Sequence, residues 1–465
     1  MNKTTKCAKA VIWDGASTQP IPTEVHADVL KSVDSSLANA DPYLMVKRYV
    51  RFDGVNIVAG GQRYNLHNFK RLFVVGAGKA SARMAVAIED LLGEKIYAGL
   101  VIVPHTHKGL VTTQRIGIGF GSHPSPDRSG FKNTERMLEM VGKPSADDLV
   151  LCLISGGGSS LLALPFDGIS LEDVTNITLS LQKSGADIYE LNVVRKHLSA
   201  VQGGRLAERL YPASVITMIV SDVVGNDLST IASGPTTPDP STFRDAVFIL
   251  KKRNIWDTSP ISVKRLLEMG VSGSVSETPK PSSHVFRRVQ NILIGDNFDA
   301  CAGARSTLQK KGYRTFIMTT QITGEAKGFG RILSSISRGI ADEKSTFRRP
   351  VALIFGGETT VKVQGNGKGG RNQEVVLSAC KGVYNLHNIV VCSFGTDGID
   401  GVTDVAGGII DGTTFAKAET NNLDIDDFLE NNDSYSCLKI TGSLLKTGVT
   451  CTNVGDVTIL AAGVE

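Results

Sequence analysis

The chain has 465 residues, enough for two or three domains, each with its own core. Its 41% hydrophobic and 21% charged residues are ordinary for a globular protein, and a net charge of +4 with Lys and Arg spread along the chain leaves no nucleic-acid footprint. No run approaches the roughly 20 apolar residues of a membrane span, so neither nucleic acid nor membrane is an expected partner.

The seven cysteines, at positions 7, 152, 301, 380, 392, 437 and 451, are scattered, and none has a CxxC or Cys/His spacing for zinc. Buried free thiols in a reducing compartment are expected, and the cytoplasm is the default location. The start of the chain is basic, but Val11-Ile12-Trp13 is too short for a signal peptide. A weak organellar presequence stays open.

In chain order, Glu24 to Val50 carry helical spacing broken at Asp41-Pro42, where Asp41 can cap a second helix and Pro42 take its first turn. Val55 to Gly61 read as a short hairpin leading into Leu72-Phe73-Val74-Val75, a buried parallel strand that breaks into Gly76-Ala77-Gly78-Lys79-Ala80-Ser81 and a helix. The pattern recurs at Leu100 to Val103 and at Ile116 to Gly119, the latter followed by His123-Pro124-Ser125-Pro126-Asp127. It recurs again at Leu149 to Ile154, running into Ser155-Gly156-Gly157-Gly158-Ser159-Ser160. A helical region from Ser170 to Leu210 precedes Val215 to Val220, which ends in Ser221-Asp222. Ser272 to Ser283, rich in Ser and Pro, reads as a linker. Beyond it lie the runs Asn291 to Gly295, Thr315 to Met318, Val351 to Phe355 and Ile389 to Phe394. Strands alternating with helices define two Rossmann-like, three-layer α/β domains with mainly parallel sheets, expected at 24–285 and 286–465 with the active site in a cleft between them.

The strongest single stretch is Val351 to Glu374. It reads as strand, Gly356-Gly357-Glu358 turn, a second strand at Val361 and Val363, a loop with Gly365, Gly367, Gly369 and Gly370, then a helix opened by Arg371. So little side chain lets backbone N–H groups approach an anion, a helix N-terminus adds positive charge, and Arg371 has donors suited to phosphate or carboxylate. The same loop also reads as a mobile Gly-rich connection. Five strand ends carry Gly with a polar group: Gly78-Lys79, Ser155 to Ser160, Ser221-Asp222, Gly357-Glu358 and Thr396-Asp397. In open α/β sheets ligands sit at such ends.

Lys79, straight off a buried strand, is a candidate anion binder as well as a solvated lysine, and the Ser155 to Ser160 turn can hold phosphate. Asp222 and Asp397 suit Mg²⁺, which takes oxygen ligands and shares them with phosphates; each taken alone is also a helix cap. Asn192, Arg195 and Ser199 share one helical face, for substrate contact or as a solvated stripe, while His197 reads as structural and His123 is undecided. Gly76 to Ser81 is only a partial GxGxxG, and the next strand ends in Pro104-His105 where a ribose-binding acid belongs. No GxxxxGK[ST] or protein-kinase signature occurs, which excludes a P-loop NTPase.

Gly76 to Ala80, His123 to Asp127, Ser155 to Ser160, Leu191 to Ser199 with Gly203 to Ala207, Ser221 to Thr236, Gly356 to Glu374 and Thr396 to Gly401 follow one another in an order that resembles the class II glycerate kinases. This is the glycerate 2-kinase family, whose C-terminal part is the MOFRL domain and whose members older annotation labelled hydroxypyruvate reductases. The resemblance runs from about Glu24 to the C-terminus. It departs at Asn226-Asp227, where two acids are expected, at Val402 in place of a proline, and along Gly448 to Asp456.

The resemblance implies ATP- and Mg²⁺-dependent phosphorylation of D-glycerate, with 2-phosphoglycerate favoured, by a monomer or homodimer. It makes Lys79 and Arg371 the important cations, with Asp222 as a further catalytic candidate. Asn192, Arg195, Ser155 and Gly156 are then candidates for the substrate. Gly157, Gly158, Ser159, Gly367, Gly369 and Gly370 are candidates for the nucleotide, and Asp222 and Asp397 for the metal. Lys79 and Arg371 are expected to face one crevice. An NAD(P)H-dependent hydroxypyruvate reductase and a non-catalytic small-anion sensor are the alternatives.

Overall fold

The structure, a computed structural model, describes residues 12–13 and 23–464. The chain divides into two compact units. Of the described residues, the first takes in Pro42–Ser221 and Asn226–Ile294; the second takes in residues 12–13 and 23–41, then Asp222–Gly225, and the chain from Gly295.

Chain-order numbering assigns β1 to Ile12–Trp13 and β2, β3 and β4 to Val50–Phe52, Asn56–Ala59 and Gln62–Asn65, the last three forming a small antiparallel sheet of the first unit. The main sheet of that unit uses β5 (Arg71–Ala77), β6 (Ala98–Pro104), β7 (Ile116–Gly121), β8 (Asp148–Ser155), β9 (Ser214–Val220) and β10 (Val289–Gly295), in the order β10-β9-β8-β5-β6-β7. Strands β5 to β9 pair in parallel, as their unbroken apolar runs lead one to expect of strands covered on both faces.

The second sheet contains β11 (Arg314–Ile322), β12 (Val351–Gly357), β13 (Ile389–Gly395), β14 (Gly407–Asp411), β15 (Leu444–Lys446) and β16 (Asp456–Ala462), in the order β1-β15-β14-β13-β16-β12-β11. Here the expectation of mainly parallel strands is corrected. Only β11 and β12 pair in parallel; β16 runs antiparallel between β12 and β13, and β14, β15 and β1 continue antiparallel. Strand β16 is buried on both faces, so its apolar run looks like that of a parallel strand, and periodicity carries no direction.

Other differences have local causes. Strand β10, expected to open the second domain, is the edge of the first sheet. The supposed linker is tied into the first unit, where Thr278 is 1% exposed and Glu277 accepts the Phe243 N–H at 2.8 Å. The helix Glu24–Asn39, expected in the first domain, packs on Asn297–Lys310 in the second unit: Ser36 Oγ donates to the Ala300 carbonyl, and Gly303 leaves room for the Ser35 carbonyl, which a Cβ would meet at 2.3 Å. The next helix in the chain begins at Pro42, as the sequence predicts. Val361 and Val363 lie outside any strand. Cys152, Cys301, Cys380, Cys392 and Cys437 are free and buried as expected, but Cys451 is disulfide-bonded. Among the described residues, no helix is long and apolar enough to cross a membrane.

Candidate active-site residues

In the first unit the turn after β5 is locked onto the turn after β8. Gly78 adopts φ +138°, and a Cβ there would lie 2.1 Å from Ser155 Oγ. Ser155 Oγ accepts the Ala80 N–H, and the Lys79 N–H donates to the Gly156 carbonyl, both at 2.9 Å. Ser155 is fully buried, and its hydroxyl oxygen braces the turn that aims Lys79. Lys79 emerges partly exposed. Its stem passes Gly157 (φ +82°), whose Cβ would lie 3.6 Å from Lys79 Cγ and 3.0 Å from the His123 ring. Gly158 is needed for a different close approach, since its Cβ would come within 2.6 Å of Ala232 Cβ.

The helix Ile188–Leu198, started by a capping box between Asp187 and Glu190, brings Asn192 toward this turn. Ser233 Oγ donates to Asn192 Oδ1 at 3.0 Å and lies 2.9 Å from Ser159 Oγ. Arg195, one turn further on, has its pKa lowered by burial, and among the described residues its guanidinium has no hydrogen-bond or ion-pair partner. A half-dehydrated cation without an acid beside it suits an anionic ligand. Ser199 instead caps the helix and accepts the Val201 and Gln202 N–H groups. His197 is structural, as expected: Nδ1 meets the Val193 carbonyl at 2.7 Å and Nε2 meets Glu277 at 3.2 Å. Ser233 lies within the Ser221 to Thr236 motif but is not singled out from it; what distinguishes it in the structure is its φ of +56°.

In the second unit Arg371 begins the helix Arg371–Val383 off the carboxyl end of β12. Its Nε and Nη2 grip Asp456 and its Nη1 donates to Glu358 Oε1 at 2.6 Å. Burial alone would lower its pKa, but the charges of Asp456 and Glu358 outweigh that and raise it. Asp456, the first residue of β16, was missed as a partner because the strand that carries it was not foreseen. A pocket of about 220 Å³, counted with its opening to solvent, is lined by Glu358 and Asp456 of this trio together with Phe329, Phe355, Asn372 and Ser393.

The glycine-rich loop does not have the form of a phosphate cradle. The N–H groups of Gln364 and Gly365 donate to Asn432 Oδ1, that of Asn366 to Asn431 Oδ1, that of Gly367 to the Asn431 carbonyl and that of Lys368 to Asp433 Oδ1. A Cβ at Gly367 would lie 2.4 Å from Asp433 Cβ, and one at Gly369 2.3 Å from Ser434 Oγ, so these glycines let the loop lie flush on residues 431–434. Nor is the N-terminus of the helix behind the loop open. The Asp400 carboxylate accepts the Asn372 and Gln373 N–H groups at 3.1 and 2.9 Å, and a Cβ at Gly370 would meet it at 2.3 Å. Burial, outweighing these bonds, raises the Asp400 pKa to about 6.

Asp397 and Asp456 flank Gly395, whose Cβ would lie 3.3 and 3.5 Å from their Oδ1 atoms. Asp222, on the short segment that belongs to this unit, accepts a hydrogen bond from Asn453 Nδ2 at 2.9 Å. Asn453 sits on the same loop whose Thr450 N–H donates to the Asp397 carbonyl, so Asp222 and Asp397 serve one neighbourhood. Among the described residues no group of three or more His, Cys, Asp or Glu is arranged to hold a metal ion. Mg²⁺ bound by protein alone therefore does not fit, whereas Mg²⁺ arriving with nucleotide phosphates needs only one or two carboxylates from the protein.

Comparison with known proteins identifies the family of the chain. A model described as a domain of unknown function, DUF4147, matches residues 28–268, and the MOFRL family model matches residues 351–456. A D-glycerate 2-kinase of Thermotoga maritima is 46% identical over 393 residues, covering 84% of this chain and 91% of the relative. A glycerate 2-kinase of Pyrococcus horikoshii is 41% identical, covering 92% and 96%. The crystal structure of a glycerate kinase from Thermotoga maritima matches with a TM-score of 0.80 at 41% identity, over 95% of this chain and all of that one. Fold and match define an α/β protein of the MOFRL type. Within that class, the chain belongs to the class II glycerate kinases, the glycerate 2-kinase family.

Proposed function

We propose that the chain transfers the γ-phosphoryl group of ATP to the C2 hydroxyl of D-glycerate, giving 2-phosphoglycerate. The observation that carries this is 46% identity to a D-glycerate 2-kinase over nine-tenths of that relative's length. Phosphoryl transfer needs positioning and charge neutralisation more than covalent chemistry. In this reading Lys79 neutralises the transferring group, and Asn192 and Arg195 receive the glycerate carboxylate. Arg371 holds Asp456 and Glu358 in place at the end of β12 and turns its remaining donors to phosphate. Asp222 takes the proton of the acceptor hydroxyl. Asp397 would hold Mg²⁺ together with nucleotide oxygens, and the ion supplies charge neutralisation there. The Gly157 turn, with Gly158 and Ser159, approaches phosphate through backbone N–H groups. The two units act as the N-terminal kinase domain and the C-terminal MOFRL-type domain of a cytoplasmic monomer or homodimer.

The reductase alternative is weakened because β6 ends in Pro104-His105, without an acid for a ribose. A coupled ADP-release assay with D-glycerate tests the reading. Turnover by the wild type, lost on the order of 10²–10³-fold in a folded Lys79→Met variant, is expected. NADH oxidation by hydroxypyruvate without ADP release from glycerate would replace it with the reductase.

A further inference from the structure

A hydroxyl carries one proton, and that fact gives direction to the chain of polar groups behind the Gly157 turn. Ser233 Oγ spends its proton on Asn192 Oδ1, so toward Ser159 Oγ it can only accept, and Ser159 is the donor. Ser159 is itself anchored, its carbonyl accepting Gln202 Nε2 at 2.8 Å. In this arrangement the Asn192 amide has Oδ1 facing back to Ser233 and Nδ2 facing away from it. That Nδ2 is buried and has no acceptor among the described residues, on a side chain only 4% exposed. Buried amide donors are seldom left so, and one held in a set orientation has the form of a binding group awaiting its ligand.

The backbone is shaped to the same end. Ala232 and Ser233 take φ +52° and +56°, a region that costs non-glycine residues, and they are kept there by the Gly203 N–H on the Ser233 carbonyl at 2.9 Å and by Ala232 seated against Gly158. Arg195, three residues beyond Asn192 and so on the same helical face, adds a cation with no acid beside it.

We propose that Ser233 is a positioning residue for the acceptor substrate: it holds the Asn192 amide so that Nδ2, with the Arg195 guanidinium, receives the carboxylate of a small hydroxy acid. One neutral donor and one positive charge match a singly charged carboxylate, and they give a carboxyl-free polyol nothing to pair with that cation. This rests on the kinase reading, which supplies the substrate.

Steady-state kinetics of Ser233→Ala with ATP and D-glycerate test it. The KM for D-glycerate rises about tenfold while kcat and the KM for ATP stay within about twofold. Ser233→Gly, which also relieves the positive φ, behaves alike and guards against a folding failure. Asn192→Asp keeps the Ser233 bond but offers the carboxylate an acceptor and Arg195 an acid, and its KM for D-glycerate rises about a hundredfold. An unchanged D-glycerate KM in the folded Ser233 variants overturns the proposal, as does an equal rise in both KM values, which a merely structural role would give. If the wild type releases no ADP with D-glycerate, it is the kinase reading that fails. Calorimetric titration with D-glycerate then decides: weaker binding by Ser233→Ala than by the wild type supports the positioning role, and equal binding overturns it.

Discussion

Arg371 grips Asp456 through two parallel hydrogen bonds, Nε to Oδ2 at 2.6 Å and Nη2 to Oδ1 at 3.0 Å. With Glu358 on Nη1, the guanidinium is the centre of a trio carrying one more negative than positive charge, not an isolated cation waiting for phosphate. Arg371→Ala therefore does two things. Turnover falls on the order of 10²–10³-fold. Stability also drops, by about 2 kcal/mol, because Asp456, 9% exposed, keeps a charge with no counterion. Adding Asp456→Asn restores part of the stability and none of the turnover, read by urea unfolding beside ADP release.

The glycine-rich loop yields a prediction that separates packing from phosphate binding. In Gly367→Ala the new methyl would sit 2.4 Å from Asp433 Cβ and 2.6 Å from the Asn431 carbonyl oxygen, both on a bonded turn. The variant loses about 1–3 kcal/mol of stability, while the KM for ATP stays within about twofold. A native melting temperature with a KM for ATP raised tenfold would restore the phosphate-cradle reading.

Acid sensitivity comes from the Ser- and Pro-rich segment that holds Glu277. Burial alone would raise the Glu277 pKa, but hydrogen bonds from His197 and the Phe243 N–H, aided by the charges of His197 and Lys280, bring it down to about 2. A depressed carboxyl pKa contributes stability that is present above the unfolded value of 4.5 and is lost as pH falls through about 2. Glu277→Gln is accordingly less stable at neutral pH and shows a shallower loss between pH 4.5 and 2, measured by thermal melts across that range. An unchanged acid limb would remove Glu277 from the balance.

What the sequence conveyed follows from what its patterns encode. The strands of the first sheet, the turn at Gly78-Lys79 and the structural role of His197 could be read because apolar runs ending in glycine, and a histidine within an apolar helix, point to one local structure each. The order of the second sheet could not, since β16 reaches its place between β12 and β13 from the far end of the chain, and with it comes Asp456. The glycines at 367, 369 and 370 were conspicuous, yet their cause lies in a different stretch, residues 431–434 and Asp400, that lies against them. Ser233 depends on a backbone angle that a serine codon does not advertise.

The most direct test is the position of the phosphoryl group on the product of ATP and D-glycerate, read by proton-coupled ³¹P NMR. Transfer to the C2 oxygen leaves phosphorus coupled to a single proton and gives a doublet, the predicted result. A triplet, from the two protons at C3, would contradict the assignment of the acceptor hydroxyl, and no new phosphorus signal at all would contradict the kinase.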